Sequence, residues 1–252
     1  MRAGKPRTLA IIPARGGSAG LPGKNVRPFA GLPLIAHSIQ FAKLCPEIDR
    51  LVVSTDSEEI AHVARRFGGE VPFFRPPELA RHETPIWPVL RHALHMIEEE
   101  ERRAYDFLLL LDPTSPAREP TDVRDAYTRL VEKFDADGVI AVSKPTFNPI
   151  WHCVAEKDGW MTDLFESAAR YQRRQDVPAV YRINGALYLW RTEFVRRVER
   201  GDWRSVGRHI MVEIPEIRAM SIDNLEQFQQ AELLITAGII KLSWLDAPGV
   251  AR

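Results

Sequence analysis

The sequence predicts an α/β fold built on a doubly wound, mostly parallel sheet, and three observations carry that expectation. Short apolar runs alternate with amphipathic helical patterns from Thr8 to Val142, as parallel strands joined by crossover helices require. One run, Phe107–Leu111, has no polar side chain, which fits a strand covered on both faces. A glycine-rich stretch follows the first apolar run directly, where open parallel sheets bind their ligands.

The elements follow in order. Thr8–Pro13 reads as a buried strand. Leu34, Ile35, Ser38, Ile39 and Ala42 recur at helical spacing. Arg50–Thr55 is a second strand, and Asp56 and Ser57 are N-cap candidates for a helix with Glu58 and Glu59 in its first turn. That helix stops at Gly68-Gly69. A short strand is expected over Val71–Phe74, ended by Pro76-Pro77, then a helix from Pro88 to Arg103. After the Phe107–Leu111 strand, Thr121 is expected to cap a helix running to Phe134, and Gly138–Val142 is a further strand. The alternation then fails. Residues 145–182 read as an insertion into a single domain spanning residues 1–252, with a hairpin turn at Asp158-Gly159. The core resumes with strands at Asn184–Trp190, Ile210–Ile214 and Ala219–Ile222, a helix over Thr192–Arg197 and a closing helix over Asn224–Ala237.

Lysine plus arginine and aspartate plus glutamate both number 34. The balance argues against a nucleic-acid binder, which carries a basic excess, yet leaves room for one nucleotide. Cys45 and Cys153 lack any metal-ligand spacing and read as free thiols of a reducing compartment. The apolar run before Arg15 is too short for a signal peptide or a membrane span, so a cytoplasmic location without membrane association is expected. His37, His62, His92 and His95 fall in helices and read as solvated or core-edge residues, with His82 and His152 nearer the expected cleft. No histidine spacing suggests zinc.

The loop Pro13-Ala-Arg-Gly-Gly-Ser-Ala-Gly-Leu-Pro-Gly-Lys-Asn25 carries the strongest chemical signal. Glycines let backbone N–H groups approach phosphate oxygens. Arg15 can grip a phosphate with two hydrogen bonds, and Lys24 adds a point charge. The Walker pattern fails because Asn25 follows Lys24, and the dinucleotide fingerprint fails because no helix opens here.

IIPARGGSAGLPGKN, followed by VVSTDSEEIA, FRPPELA, LLDPTSPAR, RINGALYLW and SIDNLEQFQQAE in the same order, resembles the acylneuraminate cytidylyltransferases, or CMP-sialic acid synthetases. The resemblance spans residues 8–235. It implies a nucleotide-diphospho-sugar transferase-like variant of the Rossmann fold and transfer of CMP from CTP to an acidic, nonulosonic-type sugar with loss of pyrophosphate. Ala14, Arg15, Gly16, Gly17, Ser18, Lys24, Asn25, Arg75 and Thr84 match nucleotide-side positions. Arg173, Arg174 and Gln175 in the insertion, with Asn184, Gly185 and Tyr188, match the acceptor side. The insertion is expected to reach across a homodimer.

The chain also departs from the family pattern. Ala19 stands where the family has a lysine, Ser221 replaces the first of two aspartates, Asp112 stands where sialic acid enzymes carry glutamine, and Trp151 replaces a lysine found in some of them. Magnesium is hard and prefers oxygen ligands, so Asp112 and Asp223 are the expected metal pair, and Arg15, Lys24, Asp112 and Asp223 the expected catalytic set. Two alternatives remain open at this point: the same chemistry on another small acid, a sugar phosphate or a phosphonate, or with GTP; and a nucleotide-binding regulator that lost catalysis.

Overall fold

The protein was analysed as a computed structural model, which describes residues 4–17, 20–199 and 201–245. In chain order the elements are β1 (Thr8–Pro13), the two-residue strands β2 (Pro28–Phe29) and β3 (Leu32–Pro33), α1 (Leu34–Lys43), β4 (Arg50–Ser54), α2 (Glu58–Arg66), α3 (Ile86–Glu101), β5 (Phe107–Leu110), α4 (Pro120–Glu132), β6 (Gly138–Ser143), α5 (Pro149–His152), β7 (Val154–Lys157), β8 (Trp160–Asp163), β9 (Arg182–Arg191), α6 (Thr192–Arg197), α7 (Trp203–Val206), β10 (His209–Glu213) and α8 (Leu225–Thr236).

Among the described residues the central sheet has six strands in the order β10-β6-β9-β5-β1-β4. The pairs β1–β4, β1–β5 and β6–β10 are parallel, while β9 runs antiparallel to both β5 and β6. Alternate β1 side chains feed two layers. Ala10 and Ile12 join a core with residues of α1, α4 and α8, whereas Leu9 and Ile11 pack with Trp87, Leu90 and Leu94 of α3 and Phe194 of α6. Helices therefore cover both faces, which is why β5 needs no polar residue.

The antiparallel β9 positions the site. Its N-terminal end lies at the same edge as the C-terminal ends of β5 and β6. There its register against β6 jumps from Ile140↔Tyr188 to Val142↔Ile183, so β9 bulges over Asn184–Leu187. Gly185 supplies the positive φ of 75° that the bulge needs.

Four expectations are corrected. Val71–Phe74 forms no strand: only the isolated bridges Val52↔Glu70 and Thr55↔Phe74 remain, because Pro72 lacks a ladder donor. Ala219–Ile222 also forms no strand; Glu216–Arg218 is a single 3-10 turn, and Ile222 N–H donates to the Thr114 carbonyl at 2.9 Å. The cap of α4 is Glu119, not Thr121. Glu119 forms a reciprocal capping box with Asp122, and Pro120 takes the first helical position. His37 is fully buried rather than solvated.

The rest of the chain follows the sequence pattern. Ser57 caps α2 through its side chain, and Gly68 follows with φ of 78°. The β7–β8 hairpin turns at Asp158 (φ 53°) and Gly159 (φ 82°), both left-handed. The segment between β6 and β9 adds no strand to the main sheet. It leaves Trp160 and Met161 76% and 78% exposed. No helix among the described residues is long and apolar enough to cross a membrane.

His37 ties α1 to the chain beyond α8. Its Nε2–H donates to the Phe29 carbonyl at 2.7 Å, and its Nδ1 accepts from Trp244 Nε1–H at 3.1 Å. Only the neutral tautomer satisfies both contacts, and burial pushes the imidazole down from 6.5 to about 4. A lowered folded-state value means that the unfolded chain binds the extra proton first. Stability is thus full above pH 6.5 and is lost as pH falls toward 4, by roughly 3 kcal/mol. Urea midpoints measured from pH 7 to pH 4 should fall more steeply for the natural protein than for His37→Gln; parallel curves would refute this role.

Candidate active site

A cleft of about 260 Å³ opens at the C-terminal ends of β1, β4 and β5. Arg15, Lys24 and Asn25 of the glycine loop line it together with Asp112 and Asp223. Arg75, Leu79, Arg81, His82, Thr84, Ile86 and Val89 complete the lining. Charged side chains suited to a polyphosphate thus share the cleft with apolar ones of the kind a flat ring packs against.

The glycine loop is pinned at several points. Ala14 N–H donates to the Ser54 carbonyl at 2.9 Å, continuing the β1–β4 ladder. Gly16 N–H donates to Asp56 Oδ1 at 2.9 Å. Both amides, expected to face phosphate, are therefore engaged within the protein. Gly17 is exposed, and Ser18 and Ala19 lie outside the described residues. Asn25 is buried and donates from Nδ2 to the Arg15 carbonyl at 3.3 Å, so it holds the turn behind Arg15. Among the described residues, the Arg15 side chain makes no hydrogen bond, nor does that of Arg81 in the same cleft, so both are free to meet a ligand.

Lys24 is committed in this arrangement. Its Nζ donates to the Ile222 carbonyl at 2.9 Å and lies 3.3 Å from Asp223 Oδ1. Gly20 approaches the same segment so closely that a Cβ there would overlap the Asp223 carbonyl oxygen. Asp223 is not the N-cap of α8, since Asn224 caps that helix through its side chain. The Asp223 carboxylate is instead 65% exposed, and its Oδ2 accepts from Ser221 Oγ at 2.9 Å.

Asp112 follows β5. Its Oδ1 accepts from Thr114 N–H at 3.0 Å and from Thr114 Oγ1 at 2.8 Å, so it shapes the turn with one oxygen and keeps the other. No cluster of three or more His, Cys, Asp or Glu side chains suited to a metal occurs among the described residues. Asp112 and Asp223 do line the same cleft, and two carboxylates with substrate phosphates fit a hard divalent cation such as magnesium.

Arg75 is buried, not solvated. Its Nε donates to Ser54 Oγ at 3.1 Å and its Nη2 to the Ser54 carbonyl at 2.6 Å. Burial, with the nearby Arg15 charge adding to it, lowers the guanidinium to about 10, partly opposed by Asp56; it stays charged at neutral pH. Nη1 makes no hydrogen bond to the described residues, leaving a rigidly held donor in a cleft-lining residue. Thr84 Oγ1 donates to the Glu78 carbonyl at 3.1 Å, fixing the loop beside it.

None of the expected acceptor residues lines this cleft, although Gly185, beside Ser115, and Tyr188, which feels the Asp112 charge, lie at the same sheet edge. Arg173 closes on Asp176 with two hydrogen bonds of 2.8 and 3.0 Å, and Arg174 and Gln175 form the exposed turn beside it. Asn184 is consumed by the β9 bulge: its Nδ2 donates to Ser143 Oγ at 2.9 Å and its Oδ1 accepts from Ala186 N–H at 3.0 Å. A Cβ added at Gly185 would come within van der Waals contact of the Ser115 side chain. Tyr188 stacks on Trp190 at 5.1 Å, and burial, with the Asp112 charge adding to it, raises its phenol.

Several residues of the site escaped the sequence reading. Asp56 looked like a helix cap, yet it holds the Gly16 amide while Ser57 caps α2. Gly20 sat among other glycines with no local sign of its contact with Asp223. Arg81 and the apolar wall of Leu79, Ile86 and Val89 carry no motif.

An open α/β sheet with a basic cleft and two carboxylates beside its glycine-rich loop is the architecture of a nucleotide-binding class of protein. A profile of the family described as Cytidylyltransferase matches residues 9–240. Post-translational flagellin modification protein B of Campylobacter coli is 33% identical over 227 residues, covering 90% of this chain and 94% of that protein. CMP-N,N'-diacetyllegionaminic acid synthase of Legionella pneumophila is 36% identical over 185 residues, covering 73% and 77%. The solved structure of CMP:2-keto-3-deoxy-manno-octonic acid synthetase complexed with CTP shares the fold with a TM-score of 0.69 at 16% identity, covering 92% of this chain and 99% of that one. The chain belongs to the cytidylyltransferase family and is an enzyme of the nucleotidyltransferase type.

The contact at Gly20 is backbone against backbone, so no side-chain rotation relieves an added methyl group. Gly20→Ala should push the loop away from Asp223 and lower kcat/KM at least about 10-fold through misplaced charges. The melting temperature should move by only a few degrees. Unchanged kinetics would show that the contact is irrelevant to turnover.

Proposed function

We propose that the protein transfers CMP from CTP to an acidic sugar of the nonulosonic type and releases pyrophosphate, as a homodimer in the cytoplasm. The observation that carries this reading is the convergence of Arg15, Lys24, Arg75, Asp112 and Asp223 on one cleft in a chain that the cytidylyltransferase profile matches almost end to end. Relatives named for CMP-legionaminic and pseudaminic acid synthesis support an acidic sugar as acceptor.

In this reading the acceptor hydroxyl oxygen attacks the α-phosphorus. The new P–O bond forms as the bond to the β-phosphate breaks, pyrophosphate carries away the electron pair, and the hydroxyl proton leaves to base. Such transfer needs positioned charge more than covalent help from protein. Arg15 grips the triphosphate, and Lys24 exchanges its Asp223 contact for a phosphate oxygen. Arg75 presents Nη1 to the base, with Leu79, Ile86 and Val89 beside the ring. Asp112 and Asp223 would hold magnesium, which would supply positive charge against the phosphates.

A pyrophosphate-release assay tests this reading, with the four nucleoside triphosphates set against sialic, legionaminic and pseudaminic acids, 2-keto-3-deoxy-octonic acid and simple phosphonates. CTP with one nonulosonic acid should be the productive pair. Preference for GTP, or turnover of phosphonates alone, would overturn it. In the same assay Asp112→Asn and Asp223→Asn should each lower kcat/KM by about 100-fold, on the order of 3 kcal/mol of transition-state stabilisation. A wild-type magnesium titration for Asp112→Asn would reduce that residue to a turn former.

The dimer is argued from Phe147, Trp160, Met161, Leu164 and Phe165, all exposed on the segment between β6 and β9. Apolar surface gathered in one segment marks an interface, and a two-fold axis would bring Arg173–Gln175 to the partner's acceptor side. Light scattering at micromolar concentration should give twice the chain mass of 28.7 kDa, and Trp160→Ser with Met161→Ser should shift it toward the monomer. A monomeric natural protein would refute the arrangement.

A further inference from the structure

Arg118 is 2% exposed and has no carboxylate partner among the described residues. Its Nη1 donates to the Asp112 carbonyl at 3.0 Å and to the Ala186 carbonyl at 2.7 Å, its Nη2 donates to Ser38 Oγ, and its Nε is buried without a partner. The guanidinium also lies over the Phe41 ring, 5.2 Å from its centroid. Burial lowers it to about 10, so it remains a cation whose hydrogen-bond acceptors are all neutral.

A buried charge in this state is costly, and apolar replacements of buried ionic groups are often neutral or stabilising. Stability alone is therefore a poor reason for an arginine here. Its three acceptors belong to three parts of the site. The Asp112 carbonyl lies just beyond β5. The Ala186 carbonyl sits in the β9 bulge, next to Gly185. Ser38 lies on α1, whose first turn is tied to the glycine loop by Ile35 N–H donating to the Asn25 carbonyl at 2.9 Å. The β5–β9 ladder stops at Leu110↔Tyr188. Beyond that point Arg118 Nη1 joins the two strands by bridging a carbonyl from each.

We propose that Arg118 is a positioning residue for the transfer reaction. It fixes the Asp112 strand end against the Gly185–Ala186 backbone and the helix behind the glycine loop, so that the nucleotide half and the acceptor half of the site keep one geometry. The proposal rests on the cytidylyl-transfer reading.

The test compares Arg118→Met, Arg118→Lys and Ser38→Ala with the natural enzyme. CTP affinity is measured by calorimetry, and kcat and acceptor KM by pyrophosphate release. Arg118→Met should keep CTP affinity within roughly 3-fold, because the residue does not line the nucleotide cleft, while kcat falls on the order of 30-fold and acceptor KM rises about 5-fold. Arg118→Lys retains the charge without the fork and should recover only part of kcat. Ser38→Ala removes one arm and should lower kcat about 3-fold. Natural kcat and acceptor KM in Arg118→Met would overturn the proposal whatever the melting temperature. If that variant does not fold, natural kinetics in both Arg118→Lys and Ser38→Ala would overturn it. Absence of turnover by the natural enzyme with every pair sinks the functional reading and this proposal together, whereas an active natural enzyme with unaffected variants sinks this proposal alone.

Discussion

The meeting of the glycine loop with the Ile222–Asp223 segment is the contact on which the rest of the site depends. Gly20 lies against the Asp223 carbonyl, and Lys24 donates to Ile222 and pairs with Asp223. Those residues are some 200 positions apart in the chain. Ile222 in turn donates to Thr114, whose amide and hydroxyl hold the Asp112 carboxylate. One chain of short contacts thus runs from the phosphate-side loop through both carboxylates. In the proposed reaction the cleft gains from this: opposite charges neutralise one another before the ligand arrives, and the ligand exchanges partners rather than meeting unpaired groups.

Two buried arginines frame that chain, and both are held by neutral acceptors. Arg75 is fixed by Ser54 and Arg118 by the carbonyls of Asp112 and Ala186. Arginine ion pairs elsewhere behave differently. Arg218 meets Asp122 with two hydrogen bonds of 2.7 and 3.0 Å, and Arg50 joins Glu70, Glu100 and Glu101. The second group satisfies its charge inside the fold, while the first keeps positive charge around the cleft. The contrast separates residues that hold the framework from residues that set the potential at the site, although all are arginines in sequence.

The segment between β6 and β9 obeys a third constraint. Its hairpin is well formed, yet Trp160 and Met161 face outward and Arg173 turns back on Asp176. A single chain neither covers its apolar residues nor delivers its basic ones to the cleft. The homodimer proposed above resolves both features with one surface.

The sequence by itself determined the doubly wound sheet, because each strand and helix announces itself by a local period and a local stop signal: Ser57 before α2, Gly68 after it, Asp158-Gly159 between β7 and β8. It also determined the family, and it picked out Arg15, Lys24, Asn25, Arg75, Asp112 and Asp223 in short motifs, all of which line one cleft. Tertiary structure decided everything that depends on partners distant in the chain. It set the antiparallel direction of β9, which brings Gly185 to the active edge. It spent the Ala14 and Gly16 amides and the Asn184 side chain on the fold rather than on a ligand. It buried His37 beside Trp244 and placed Arg118 between three segments. Hydrogen-bond partners and burial are properties of contacts, and no local pattern encodes a contact made between distant segments of the chain.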